Sequence, residues 1–205
     1  ALCFAVALLT GVAAASGIFL RGDGSFEAVT SVRGERYEMA TTGIYAYNAV
    51  RVVAEGIGWD IVTLAFAVPA LLAVLPALAR DSLRGRLLAL GVLGYLFYQY
   101  LMYAVAWAFG LLFVAIYALS LVAIVFIVAG IPLASLPERF GAGFPRRGVA
   151  VLCFLLAALL VVMWLARIAA ALGGQIQGVL LGQTTLVVQA LDLGLIVPLA
   201  LFTGV

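Results

Sequence analysis

Residues 184–205 read TTLVVQALDLGLIVPLALFTGV. The run is long enough to cross a bilayer as a helix, which takes about 20 residues. Yet Asp192 sits inside it. An ionisable side chain at the middle of a membrane helix costs about 2.5–3.5 kcal/mol on insertion scales. If the membrane reading is right, something must hold that aspartate.

The rest of the chain supports that reading. Of 205 residues, 67% are hydrophobic and 10% charged. A soluble domain carries about a quarter charged residues. So few charged groups cannot cover so apolar a core, so the expected solvent is lipid. A net charge of +2 with no basic stripe excludes a nucleic-acid partner. All eleven basic residues are arginine; there is no lysine and no histidine. A lysine Schiff base, imidazole ligation of haem and the common zinc sites are thereby excluded, and no cofactor or metal is expected. Cys3 and Cys153 lie far apart in apolar stretches and read as two buried thiols, with a redox pair as the alternative.

Six apolar segments are expected to be helices, at about 1–20, 59–79, 87–107, 110–131, 148–170 and 184–205. The first reads as an uncleaved helix. Its AAAS stretch also fits a signal-peptide cleavage site, but no charged n-region precedes it. Because it starts at Ala1 and ends within an apolar run, the chain reads as a piece of a longer protein.

Arginines orient the bundle. Arg80, Arg84 and Arg86 crowd the link between segments two and three. Arg139, Arg146 and Arg147 share the link between four and five with Pro132, Pro137 and Pro145. The intervening links carry no charge, so the positive-inside rule places the arginine links and both chain ends in the cytoplasm. Residues 21–58 then lie outside a cell inner membrane. There FEAVTSV and RYEMATT flank a turn-like RGE, the pattern of a small β-hairpin. The fold expected is an all-α membrane protein: one bundle of about six transmembrane helices with a small extracytoplasmic hairpin.

Several polar residues stand out. The second segment reads DIVTLAFAVPALL from Asp60 and the sixth DLGLIVPLAL from Asp192. Both carry an acid and then Val-Pro, but the acid-to-proline spacings differ, so chance likeness competes with an internal repeat. The third segment, GVLGYLFYQYLMYAVAW, surrounds Gln99 with Tyr95, Tyr98, Tyr100 and Tyr103. Those tyrosines serve either as packing with satisfied hydroxyls or as the polar lining of a ligand cavity.

GIYAYNAVRVVAEGIGWDIVTLAFAVPALL, RGRLLALGVLGYLFYQYLMYA and TTLVVQALDLGLIVPLAL together resemble a family of bacterial multipass membrane proteins that has no established activity. The resemblance covers most of the chain and implies a topology of six or seven helices, but no substrate.

Asp192 lies roughly 12 Å below the outer start of its helix, and Arg167 some 6–8 Å deep on the helix before it, at 1.5 Å per residue. An Arg167–Asp192 pair is therefore expected, with Gln189 one turn above Asp192. That pair is either structural or part of a site open to water. Asp60 and Glu55 are expected nearer the outer surface, within reach of water. One function consistent with these residues is a small-solute transporter or ligand-binding protein with an outward polar cavity lined by Asp60, Tyr98, Tyr103, Arg167, Gln189 and Asp192. The other is a structural or accessory subunit whose polar residues bind helix to helix, with lipid, other membrane proteins or a second copy as partners. The motifs of hydrolases, metalloproteases and redox enzymes are missing, so a membrane enzyme acting on lipid or quinone is the least favoured reading; it would need Asp60 and Asp192 as an acidic pair on touching helices.

Overall fold

The computed structural model describes residues 1–111, 113–128, 143–175, 177–183 and 185–204. Pro132, Pro137, Arg139 and Thr184 lie outside the described residues. Among the described residues the chain forms six helices and two strands. In order they are α1 (Leu2–Phe19), β1 (Phe26–Thr30), β2 (Arg36–Ala40), α2 (Val50–Ala79), α3 (Leu83–Ala106), α4 (Phe113–Val128), α5 (Arg146–Leu172) and α6 (Val187–Gly204). Five of them, all but α4, are long and apolar enough to cross a membrane.

The second apolar run begins near Trp59, and the helical pattern that precedes it from about Ile44 runs into it without a break: the helix starts at Val50. Its extra turns are amphipathic rather than apolar, and Arg51 and Glu55 pair across one turn at 3.3 Å on their exposed side.

β1 and β2 form the expected antiparallel hairpin. Its turn closes where Ser31 N–H donates to the Glu35 carbonyl at 2.8 Å. Gly34, at φ +81°, takes the left-handed conformation that the turn needs. An isolated bridge, Met39 to Ala49, leads the chain from β2 to the start of α2.

The chain divides into two compact units. One comprises Ala1–Val29 with Tyr37–Ile131, the other Thr30–Arg36 with Pro132–Val205. In the first, α1 to α4 pack around Val6, Leu71, Leu93, Leu96 and Val122. Small residues at the contacts, Ala7, Ala89 and Ala118, let the backbones approach. In the second, α5 and α6 meet through Ala157, Val197 and Ala200. The other faces of α5 stay apolar and open, with Val162 71% and Leu152 68% exposed. Water would not tolerate so wide an apolar face; lipid does.

Both α2 and α6 contain a π-helical turn, Thr63–Ala67 and Asp192–Ile196, each ending directly before Val-Pro. Proline has no N–H and its ring crowds the carbonyl four residues back. A local widening to π geometry relieves that crowding without breaking the helix.

Candidate functional site

The six residues singled out in the sequence fall into two groups, three in each unit. In the first unit Asp60 is 2% exposed, inside α2. It is not the water-reaching acid that its position near the helix start led us to expect. The reason is Tyr45, in the loop before α2, which folds over it and donates its hydroxyl to Asp60 Oδ2. On the other side Tyr103 of α3 donates to Asp60 Oδ1 at 3.1 Å, while the same hydroxyl lies 3.3 Å from the Gly56 carbonyl. Each carboxyl oxygen thus has one phenol. Among the described residues no arginine pairs with Asp60. Glu55, by contrast, is exposed as expected.

An aromatic shell keeps water from this carboxyl. Tyr45 meets Trp107 edge-on at 4.8 Å between ring centroids, and Tyr103 lies 4.6 Å from the same indole. Tyr100 stands perpendicular to Tyr103 at 5.8 Å and donates to the Thr10 carbonyl of α1 at 3.3 Å. Burial, together with its neighbours Tyr103 and Asp60, pushes the Tyr45 phenol above its ordinary range, so its proton stays available for donation. From α1, Gly17 closes the site. A Cβ there would lie 2.7 Å from Asp60 Cγ and nearer still to Oδ2 and the Tyr45 hydroxyl. Only glycine lets α1 and α2 approach this closely at this level.

One turn further along α2, buried Thr63 shares a 2.8 Å hydrogen bond with Tyr95 of α3. Gln99 is buried on α3 one turn before Tyr103. Tyr98 lies half-buried on the same helix and does not join the bonds to Asp60.

In the second unit, Asp192 opens the π turn of α6 and is 8% exposed. The expected Arg167–Asp192 pair does not form. Trp164 Nε1 of α5 donates to Asp192 Oδ2 at 2.7 Å. The Arg167 guanidinium turns instead to the following loop, donating to the Val179 carbonyl at 2.7 Å and the Gly178 carbonyl at 3.5 Å. Trp164 is one turn closer to the middle of α5, level with Asp192, whereas Arg167 sits level with the loop. Gln189, one turn before Asp192, is buried. Cys3 and Cys153 are both free thiols.

Sequence reasoning passed over Tyr45, Gly17 and Trp164. For Trp164 the signal was present: an indole N–H within an apolar helix needs an acceptor. Gly17 showed no signal, because its role exists only through the helix opposite.

Five helices fit to span a bilayer, with buried carboxyls on two of them, are the features of a polytopic membrane protein. No known protein family, curated protein or solved structure matches the chain.

Proposed function

We propose that this is a polytopic protein of the bacterial inner membrane that binds and carries a small solute or ion, with Asp60 as the group that answers it. With α4 counted as a sixth span beside the five longer helices, both ends of the chain lie in the cytoplasm and residues 21–58 outside, the orientation that the positive-inside rule favours for the arginine-rich links. The observation that carries this reading is a carboxyl buried among phenols with, among the described residues, no arginine to offset it. An uncompensated charge in an apolar helix is costly, and a proton or a small cation relieves it. The phenol oxygens, the Gly56 carbonyl and the carboxyl form an all-oxygen set, which suits either one.

The test is thermal stability in detergent across pH 5–8, in sodium or in choline chloride, for wild type and Asp60→Asn. We expect wild-type stability to respond to pH or to sodium, and the response to vanish in Asp60→Asn. Identical responses in the two proteins would sink the proposal.

One observation favours a second reading, in which the protein is a structural subunit and Asp60 a clasp between helices. Gly17 leaves no room for a side chain beside the carboxyl, so the site is closed as it stands. Under that reading Asp60→Asn lowers stability equally in every salt and at every pH.

A further inference from the structure

The second unit holds a carboxylate that the proposed function does not use. Glu35, at the tip of the hairpin, is 0% exposed. Among the described residues no cation pairs with it. Its partners are consecutive backbone amides: Leu181 N–H donates to Oε1 at 3.0 Å and Gly182 N–H to Oε2 at 3.1 Å. One amide for each oxygen is how a backbone nest holds an anion.

The loop is shaped for that purpose. Gly178, Leu181 and Gly182 all have positive φ, at +69°, +51° and +79°. Glycine adopts this conformation freely, but Leu181 is strained by it. That strain turns two successive N–H groups toward one point. Gln177 brackets the tip, donating to the Gly34 carbonyl at 3.4 Å and accepting from Arg36 N–H at 3.3 Å. These contacts hold the backbone of the tip, so the Glu35 side chain alone fills the nest. Arg167 brings a positive charge to the same loop through the Gly178 and Val179 carbonyls, and its buried Nε has no hydrogen-bond partner among the described residues.

We propose that the loop 177–182 is a binding site for a small carboxylate, occupied in cis by Glu35, so that the hairpin tip is a built-in competitor for it. Docking a hairpin needs only hydrogen bonds to its backbone, which the Gln177 side chain already supplies. Burying a carboxylate and straining a leucine for it both oppose folding. The combination is expected of a receptor for carboxylates whose occupant is exchangeable. The ligand class is a monocarboxylate, or the carboxylate end of a small organic acid.

The test is hydrogen–deuterium exchange at the Leu181 and Gly182 amides in the full chain, for wild type and Glu35→Ala, with sodium formate or matched sodium chloride. Removing the carboxylate should speed exchange at both amides about tenfold, the worth of a hydrogen bond to a charged group. Formate, but not chloride, should slow it again in the variant. Excess formate should also raise tryptic cleavage of wild type at Arg33 and Arg36 by freeing the tip. If formate and chloride act alike on Glu35→Ala, the contact is a plain structural clasp and the proposal fails. Should that variant not fold, Glu35→Gln keeps the shape but loses one acceptor oxygen. Exchange should then rise at one of the two amides, and exchange equal to wild type at both would overturn the proposal.

Discussion

Replacing Tyr45 by phenylalanine removes one hydroxyl and leaves the fold otherwise intact. Asp60 Oδ2 then has no donor, in a site that is 2% exposed and walled by Trp107 and Tyr103. A hydrogen bond to a charged group is worth about 1.5–3 kcal/mol, and a buried acceptor left unpaired costs about as much. We therefore expect Tyr45→Phe to destabilise the first unit by about 2–3 kcal/mol. Tyr103→Phe should cost less, about 1–2 kcal/mol, because its hydroxyl divides itself between Asp60 Oδ1 and the Gly56 carbonyl. The decisive arm is the double mutant. With Asp60→Leu already in place, each phenol has lost its carboxyl acceptor, so removing the hydroxyl should cost little. Coupling of about 1.5–3 kcal/mol between Tyr45 and Asp60 follows, in the range of directly bonded neighbours. Thermal or denaturant unfolding in detergent, followed by tryptophan fluorescence, reads all four corners of the cycle. Additive effects of Tyr45→Phe and Asp60→Leu, within about 0.5 kcal/mol, would refute the clasp geometry and with it the buried site.

The neighbouring contacts give sharper single tests. Gly17→Ala drives a methyl into Asp60 and the Tyr45 hydroxyl, and overpacking of this kind costs about 1–3 kcal/mol; a neutral outcome in the same unfolding assay would mean that α1 does not pack there. Trp164→Phe removes the indole hydrogen bond to Asp192 Oδ2 and should couple to Asp192→Asn, whereas Arg167→Ala should be additive with it; the reverse pattern would restore the ion pair read from the sequence. On the surface, Asp23 accepts from the Thr42 hydroxyl at 2.6 Å and from Ser25 N–H at 2.9 Å. The Thr42 and Ser25 hydrogen bonds lower its pKa to about 2, from 3.8. A carboxyl depressed in this way stabilises the fold above its unfolded pKa. That contribution fades as pH falls from near 4 through about 2, so amide exchange around residues 23–42 should rise over that window in wild type and not in Asp23→Asn.

How much of this was legible depends on which kind of information each feature uses. Apolar runs set the helices, so the six segments fall on the six helices, with ends off by a few residues among those described; α2 starts earlier than its apolar run, within the helical pattern that precedes it from about Ile44. The RGE turn was legible because Gly34 is a local requirement. The sites were not, because they depend on non-local geometry. Asp60 looked shallow when counted along its own helix, but depth along a helix says nothing about a tyrosine folding over from the preceding loop. Arg167 and Asp192 were paired by charge, the strongest interaction type to be seen in a sequence. Yet Arg167 finds carbonyls at its own level first, and an indole N–H meets Asp192. Glu35 gave no sign of burial, since a solvated acid in a hairpin turn is the ordinary case.

The likeness of α2 and α6 looks different once the backbone sets the register. Counted from the acids, the two helices disagree. Counted from the Val-Pro step that ends each π turn, Thr63 falls level with Asp192 and Asp60 level with Gln189. All four side chains are buried. At the π level each helix bonds to an aromatic side chain of another helix, Tyr95 for Thr63 and Trp164 for Asp192. A proline at a fixed distance below two buried polar residues widens the helix just where those residues need room for partners. That shared construction gives a reason for the carboxyl to sit on the upper step in one unit and on the lower step in the other. The position is defined by the proline, and the choice of acid or amide at each step is free to vary. The double change Asp60→Gln with Thr63→Asp gives α2 the polar pair of α6. If the register is right, it should fold as a helix with its π turn in place. The same exchange moved by one residue would place the new acid at half-buried Leu64 and the amide at exposed Ile61, on an apolar face with no prepared partners, and should not fold.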